Sequence, residues 1–256
     1  MHPVFFEYKS IVIHTYGVMA AIGFLFAIIV STFLAQKENI KKDDISDLSV
    51  YVVLFSVIGA RIFYFFVEPE YFLNNPLEIF KIWNGGLVFY GGFIFGVAGA
   101  LFFIKKRNLP LGKTADIIAP ALALGHAIGR TGCFFAGCCY GKPTDLPIGI
   151  VFKNPKALAP LNQSLHPVQL YSSALNFLLF AVLIIFFTKK KKDGDVFILY
   201  LLMYGISRII LEYFRGDNRG EFILGLFSTS QFIGFLAAFS AVVIYVLKSK
   251  KLRTEK

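Results

Sequence analysis

Two sets of side chains in this sequence could do chemistry. Arginines stand at positions 61, 130, 208 and 215, within or at the edge of strongly apolar stretches. A guanidinium stays charged even when partly desolvated, and its planar fork matches the oxygens of a phosphate. Tyr204, Arg208 and Glu212 recur at intervals of four, which places them on one helix face. Read as binding chemistry, the arginines suit an anionic ligand, and a phospholipid head group is the commonest anion at membrane depth. Read as architecture, Arg208 pairs with Glu212 and Arg61 bridges backbone carbonyls. The second set is Cys133, Cys138 and Cys139, all the cysteines of the chain, within Gly132 to Gly141.

The thiols allow several chemistries. A disulfide from Cys133 to Cys138 or Cys139 is less strained than one between the adjacent pair. A thiolate near Arg130 is favoured by the cation. Small residues packing a tight loop are an equally good account. Structural zinc usually wants four ligands with a spaced second pair, and only His166 offers itself as a fourth, so no metal is expected.

The elements that must position these groups are membrane helices. Hydrophobic residues make up 56% of the 256, charged residues 16%, and mean hydropathy is +0.65; a soluble domain carries about 25% charged residues. Several apolar runs approach the roughly 20 residues needed to cross a bilayer core. The expected spans are 17–35, 50–67, 86–104, 115–129, 169–187, 196–214 and 231–247. The fold class is therefore all-α, a polytopic membrane helix bundle of about seven transmembrane helices in a single domain, 1–256. The fourth span contains Pro120, Gly125 and His126. Such breakers are tolerated only where protein or a water-filled cavity satisfies the backbone, so this span is expected inside the bundle. Gly92, Gly96 and Gly99 have the small-residue spacing that lets helices approach closely, and Gly91-Gly92 could instead open the third span.

The net charge of +10 is not a nucleic-acid footprint, because most of the 26 Lys and Arg fall in alternate connections and the C-terminal tail. Basic residues flank membrane helices on the cytoplasmic side. That places the N-terminus outside and the C-terminus in the cytoplasm, which fits an odd number of spans. A cleavable signal peptide is not expected, since Lys37, Lys41 and Lys42 follow the first apolar stretch rather than precede it. The connection 131–165, rich in Gly, Pro and Cys, becomes an extracytoplasmic functional loop. On this topology His14, Tyr16, Tyr90, His126, Arg130, His166, Gln169, Tyr171, Tyr204, Arg208, Glu212 and Arg215 all lie in or beside the outer half of the membrane. Polar groups at that depth usually face a cavity or a partner.

The segment from Gly129-Arg130 through Gly132-Cys133-Phe134 and Gly137 to Tyr140-Gly141 resembles the signature of bacterial prolipoprotein diacylglyceryl transferases. The resemblance extends in order along the chain, through His14-Thr15-Tyr16-Gly17, Gly59-Ala60-Arg61, Trp83-Asn84-Gly85-Gly86 with Tyr90-Gly91-Gly92, His166-Pro167-Val168-Gln169-Leu170-Tyr171, and Tyr204-Gly205 with Arg208, Glu212 and Arg215. It implies an enzyme of the bacterial cytoplasmic (inner) membrane whose active site faces the outer leaflet, working as a monomer. Its substrates would be phosphatidylglycerol and a lipoprotein-precursor lipobox peptide, whose cysteine thiol receives the diacylglyceryl group as glycerol phosphate departs. No metal or organic cofactor is implied. Arg130 and Arg208 would neutralise the departing phosphate. Tyr16, Arg61, Gly141, His166, Gln169, Tyr204, Glu212 and Arg215 would bind substrate. Tyr90 stands where the family pattern often has a histidine, Cys133 and Cys138 where asparagine and glutamate are usual, and Ser172 where a carboxylate is common. Tyr90 acts as a base only if a nearby cation lowers its pKa; otherwise water, His126 or His166 must take the thiol proton. Two other readings remain on the same scaffold. One is a lipid-head-group transferase with another acceptor or a thiol nucleophile of its own. The other is a non-enzymatic lipid or anion transporter, against which the lack of paired, broken halves counts.

Overall fold

The structure, a computed structural model, describes residues 1–9, 11–80, 86–217 and 228–254. Trp83, Asn84 and Gly85, singled out from the sequence, lie outside the described residues. The long helices are α1 (Thr15–Lys37), α2 (Lys42–Val67), α4 (Phe89–Lys106), α5 (Leu111–Ala136), α6 (Val168–Lys189), α7 (Asp195–Glu212) and α8 (Thr229–Thr254). A short α3 (Pro69–Asn74) and a 3-10 turn (Pro76–Phe80) follow α2. Two small antiparallel pairs complete the fold, β1 (Val4–Tyr8) with β2 (Ile11–His14) and β3 (Ile150–Val151) with β4 (Ser164–Leu165).

Among the described residues, six of the helices are long and apolar enough to cross a membrane. The sixth expected span, 196–214, is α7, which has 18 residues but carries Asp195, Arg208 and Glu212 among them. Its three charges set it apart from the six, while the rest of the helix is apolar. The fourth expected span is longer than its sequence suggests. Helix α5 runs through Pro120 and on to Ala136, so the first residues of the expected 131–165 loop are helical. Half of α5's apolar window is buried, the largest share among the six.

The chain forms two compact units. In the unit Thr32–Thr114, α2 packs on α4 through glycines. A side chain at Gly99 would meet Phe55 Cγ at 2.7 Å, and one at Gly92 would meet the Ser56 carbonyl at 3.2 Å. The small-residue stripe is thus a close-packing seam, and the helix does not open at Gly91-Gly92: the Gly92 amide donates to the Val88 carbonyl at 3.2 Å. Arg61, buried on α2, donates from Nε to the Ile79 carbonyl at 3.0 Å, from Nη1 to the Gly86 carbonyl at 3.0 Å and from Nη2 to the Glu78 carbonyl. Its guanidinium also lies over the rings of Tyr64 and Phe72. Arg61 therefore fastens the segment after α3 by its carbonyls.

The second unit comprises Met1–Ser31 and Ala115–Lys256. Helices α1 and α5 cross at Gly23 and Gly125, where a side chain on Gly23 would meet the Gly125 carbonyl at 2.8 Å. Ser173 on α6 donates to the Ala127 carbonyl of α5 at 2.8 Å, and α7 crosses α8 at Gly205 and Gly234. Asp116 of α5, fully buried, accepts from Lys190 Nζ at 2.8 Å, the Gly194 amide at 2.8 Å and the Phe197 amide at 3.0 Å. A carboxylate at a helix N-terminus satisfies orphan amides and complements the helix dipole, so Asp116 caps α7 from another helix.

Removing one partner of a buried ion pair leaves an uncompensated charge and costs about 3–5 kcal/mol. Asp116→Ala should therefore lower the thermal unfolding temperature of the detergent-solubilised protein markedly. Adding Lys190→Met should recover part of that loss; a double variant no more stable than Asp116→Ala would contradict the pairing.

Candidate active site

The site of the second unit is built around the C-terminal turns of α7. Arg208, 7% exposed, donates from Nη2 to Ser230 Oγ on α8 at 2.5 Å and lies 3.4 Å from Glu212 Oε2 one turn on. Arg215, just beyond the helix, places Nε 3.7 Å from the same oxygen. Its Nε and Nη2 donate to Asp217 Oδ1 at 2.9 Å and Oδ2 at 2.7 Å, a bidentate pair. Burial draws the Arg215 pKa down, but the hydrogen bonds and charge of Asp217 outweigh it and the net shift is upward. Glu212 Oε1 accepts from Ser228 Oγ at 2.8 Å.

Arg130 adds a third guanidinium from α5. Its Nε donates to Nε2 of His126, one turn back, at 3.0 Å, which assigns the imidazole proton to Nδ1. His126 packs against Tyr204 of α7, with 5.7 Å between ring centres and the rings tilted by 49°. Arg130 and Arg208 both lie within electrostatic range of His126 and of each other. Three guanidiniums thus share a neighbourhood with two carboxylates, and among the described residues Arg130 has no carboxylate partner. The cluster carries a net positive charge in mostly buried surroundings.

Gln169, on the first turn of α6 and 1% exposed, donates from Nε2 to the Cys138 carbonyl at 2.8 Å, while its Oε1 is buried without a partner among the described residues. Cys133 lies on the last turn of α5, three residues after Arg130. The helix stops at Gly137, whose φ of +77° suits glycine, and Cys139 adopts the left-handed φ of +59° that non-glycine residues rarely hold. These two reversals turn the chain back, and the three sulfurs lie within 4.8 Å of one another with no disulfide between them. Tyr16, on the first turn of α1, lies within electrostatic range of Arg130 and of all three cysteines.

Gly141 and His166 serve this site as framework. The Gly141 backbone bridges to Arg215, and its amide donates to the His166 carbonyl at 3.1 Å. A side chain at Gly141 would meet His166 Cβ at 2.6 Å and Val168 Cγ2 at 2.7 Å, so only glycine permits the approach. His166 Nδ1 is 3.2 Å from the Tyr171 hydroxyl and its ring packs on Phe214. Arg61 and Tyr90 belong to the other unit. Tyr90 sits half-exposed on the first turn of α4, with its ring against Phe89.

Ser228, Ser230 and Asp217 were not found from the sequence. One signal was available: Ser228 and Gln231 form a reciprocal capping box at the start of α8, a spacing readable in advance. Two open clefts of about 470 and 310 Å³ line the β1–β2 edge and the Lys189–Lys192 end, and neither is lined by Arg130, Arg208 or Arg215.

Long apolar helices around a partly buried, positively charged cluster define a multi-pass membrane protein. Residues 3–247 match the family described as prolipoprotein diacylglyceryl transferase. The chain is 39% identical over 245 residues to a protein of Clostridium tetani named phosphatidylglycerol–prolipoprotein diacylglyceryl transferase, covering 96% of this chain and 97% of that one. It is 36% identical to a like-named protein of Finegoldia magna (98% and 97% covered) and 32% identical to one of Clostridium perfringens (100% and 98%). The chain belongs to the prolipoprotein diacylglyceryl transferase family.

The hydrogen bonds of Cys138 with the Cys133 and Cys139 thiols, and then burial, push its own thiol well above the usual thiol range. Alkylation of Cys138 in the metal-free protein should stay slow through neutral pH and past about 8.5, the ordinary thiol pKa. Peptide mass spectrometry across a pH series checks this, and fast modification at pH 7 would contradict it.

Proposed function

We propose that this chain transfers the diacylglyceryl group of phosphatidylglycerol to the thiol of a lipoprotein-precursor cysteine, releasing glycerol phosphate. One observation carries the reading: in a chain of this family, three guanidiniums face two carboxylates in a buried cluster, leaving positive charge for a phosphate. The reaction develops negative charge on the departing phosphate oxygen, and preorganised donors aimed at developing charge are among the largest contributors to catalysis. Arg208 and Arg130 supply that stabilisation. Glu212, Ser230 and Asp217 hold the guanidiniums in place, so they need not reorganise during the reaction. Gln169 Oε1, buried and unpartnered, accepts a hydroxyl of the head-group glycerol. Tyr204 packs against the His126 ring, whose Nε2 accepts from Arg130 Nε.

The charge distribution supports an orientation with the N-terminus outside, the C-terminus in the cytoplasm and the arginine cluster towards the outer leaflet, in a bacterial cytoplasmic membrane. The acceptor is then a lipobox peptide, the chain acting as a monomer.

Loss of a single preorganised donor costs about 100-fold or more in turnover. Arg130→Ala and Arg208→Ala should each reduce phosphatidylglycerol-dependent release of glycerol phosphate by at least that factor. Arg208→Lys keeps the charge but loses the fork, and it controls for folding. Full activity in all three variants would overturn these roles. Reporter fusions should place residues 137–165 outside; a cytoplasmic signal there would overturn the orientation.

A further inference from the structure

The cysteine cluster is not used by the mechanism above, and its geometry is specific. Cys133 is anchored on the last turn of α5, and the turn bearing Cys138 and Cys139 is fixed from several sides. The Cys138 carbonyl accepts from the buried Gln169, the Cys138 thiol donates to the Cys133 carbonyl at 3.8 Å, and the Leu158 amide donates to the Ala136 carbonyl at 3.1 Å. The three sulfurs are within 4.8 Å of one another. Tetrahedral zinc with Zn–S bonds near 2.3 Å sets sulfurs about 3.8 Å apart, so small side-chain rotations close the set onto one ion. Cys133 is buried while Cys138 and Cys139 are half-buried, so the cluster is open on one side. Three thiolates around a divalent ion carry one net negative charge. Arg215 and Arg130 lie within electrostatic range of Cys139 and Cys133.

No fourth His, Cys, Asp or Glu joins the three among the described residues. Three protein ligands with an open fourth position is the arrangement of a catalytic zinc site, in contrast to the closed four of a structural one. The proposed reaction needs an acceptor thiol without its proton. In this unit, the lone pair of His126 Nε2 already accepts from Arg130, and His166 Nδ1 is engaged with Tyr171. We propose that Cys133, Cys138 and Cys139 bind one Zn²⁺ ion whose fourth position receives the acceptor thiol. This deepens the transferase reading and rests on it. On coordination the acceptor thiol gives its proton to water, as a metal-bound thiol is deprotonated outright. The bound sulfur attacks the glyceryl carbon. The S–C bond forms, the C–O bond to phosphate breaks, and its electron pair leaves on the phosphate oxygen held by Arg130 and Arg208. Nothing is oxidised or reduced.

The test uses the full chain in detergent, reduced and stripped of metal, with Co²⁺ as the spectroscopic probe. One equivalent of Co²⁺ should produce thiolate-to-cobalt charge-transfer absorption that Zn²⁺ abolishes. The absorption should be absent from a Cys133→Ser, Cys138→Ser, Cys139→Ser variant whose thermal unfolding matches the parent. A short lipobox peptide should shift the ligand-field bands, and its cysteine-to-serine counterpart should not. Stripping metal should lower glycerol phosphate release at least about 100-fold, the usual scale of a lost acid–base contribution, and Zn²⁺ should restore it. A parent protein without charge-transfer bands, or a triple variant that keeps them, overturns the site. Bands indifferent to the peptide overturn the role of the fourth position. If the bands and peptide shift are present but no glycerol phosphate appears, the transferase reading fails and the metal site stands.

Discussion

The organisation of the second unit depends on the cost of keeping charged groups out of water. A guanidinium or carboxylate removed from solvent loses several kcal/mol of hydration, which is recovered only through well-placed partners. Arg208 meets this constraint with Glu212 and Ser230, and Glu212 meets it with two guanidiniums and Ser228. Arg215 does so with Asp217. Each solution recruits another element: the start of α8 is held by a serine that also serves the carboxylate, and the end of α7 is held by the turn beyond it. The same rule operates at the other end of α7, where Asp116 meets Lys190 and two helix amides. Helix α7 is thus fixed at both ends by ionic contacts, which explains why it carries three charged residues among its 18.

Much of this was legible in the sequence. Hydropathy located the long helices, and the interval of four placed Tyr204, Arg208 and Glu212 on one face. Pro120, Gly125 and His126 marked α5 as the most enclosed span, in line with its burial. The ordered motifs pointed to the family. Other features were not legible because they depend on distant parts of the chain meeting. Asp116 looks like a lone acid until α7 is placed beside it. That Arg61 bridges backbone carbonyls was one of two readings open from the sequence, but which ones it meets, those of Ile79, Gly86 and Glu78, has no side-chain signature. The length of α5 was underestimated because breakers and a polar end resemble a helix boundary. The two small sheets are too short to leave an alternating pattern.

The cysteines show what ligand spacing along a sequence leaves out. Four spaced ligands describe structural zinc, and by that standard this stretch falls short. The backbone reversals at Gly137 and Cys139 gather three sulfurs beside two cations, a different pattern that spacing alone does not express. A left-handed non-glycine residue is a costly conformation that tends to persist where surrounding structure demands it. Here the demand comes from Gln169 holding the Cys138 carbonyl and from the turns on either side.

The backbone bridge between Gly141 and Arg215 ties these two chemistries mechanically. With the Lys142 amide donating to the Phe214 carbonyl at 2.8 Å and the Gly216 amide donating to the Tyr140 carbonyl at 3.1 Å, it makes a short ladder between the cysteine-bearing turn and the end of α7. Neither strand of that ladder can shift without dragging the other. A displacement of the turn bearing Arg215 is therefore passed, through amides rather than side chains, to the turn that carries the thiols a few residues away.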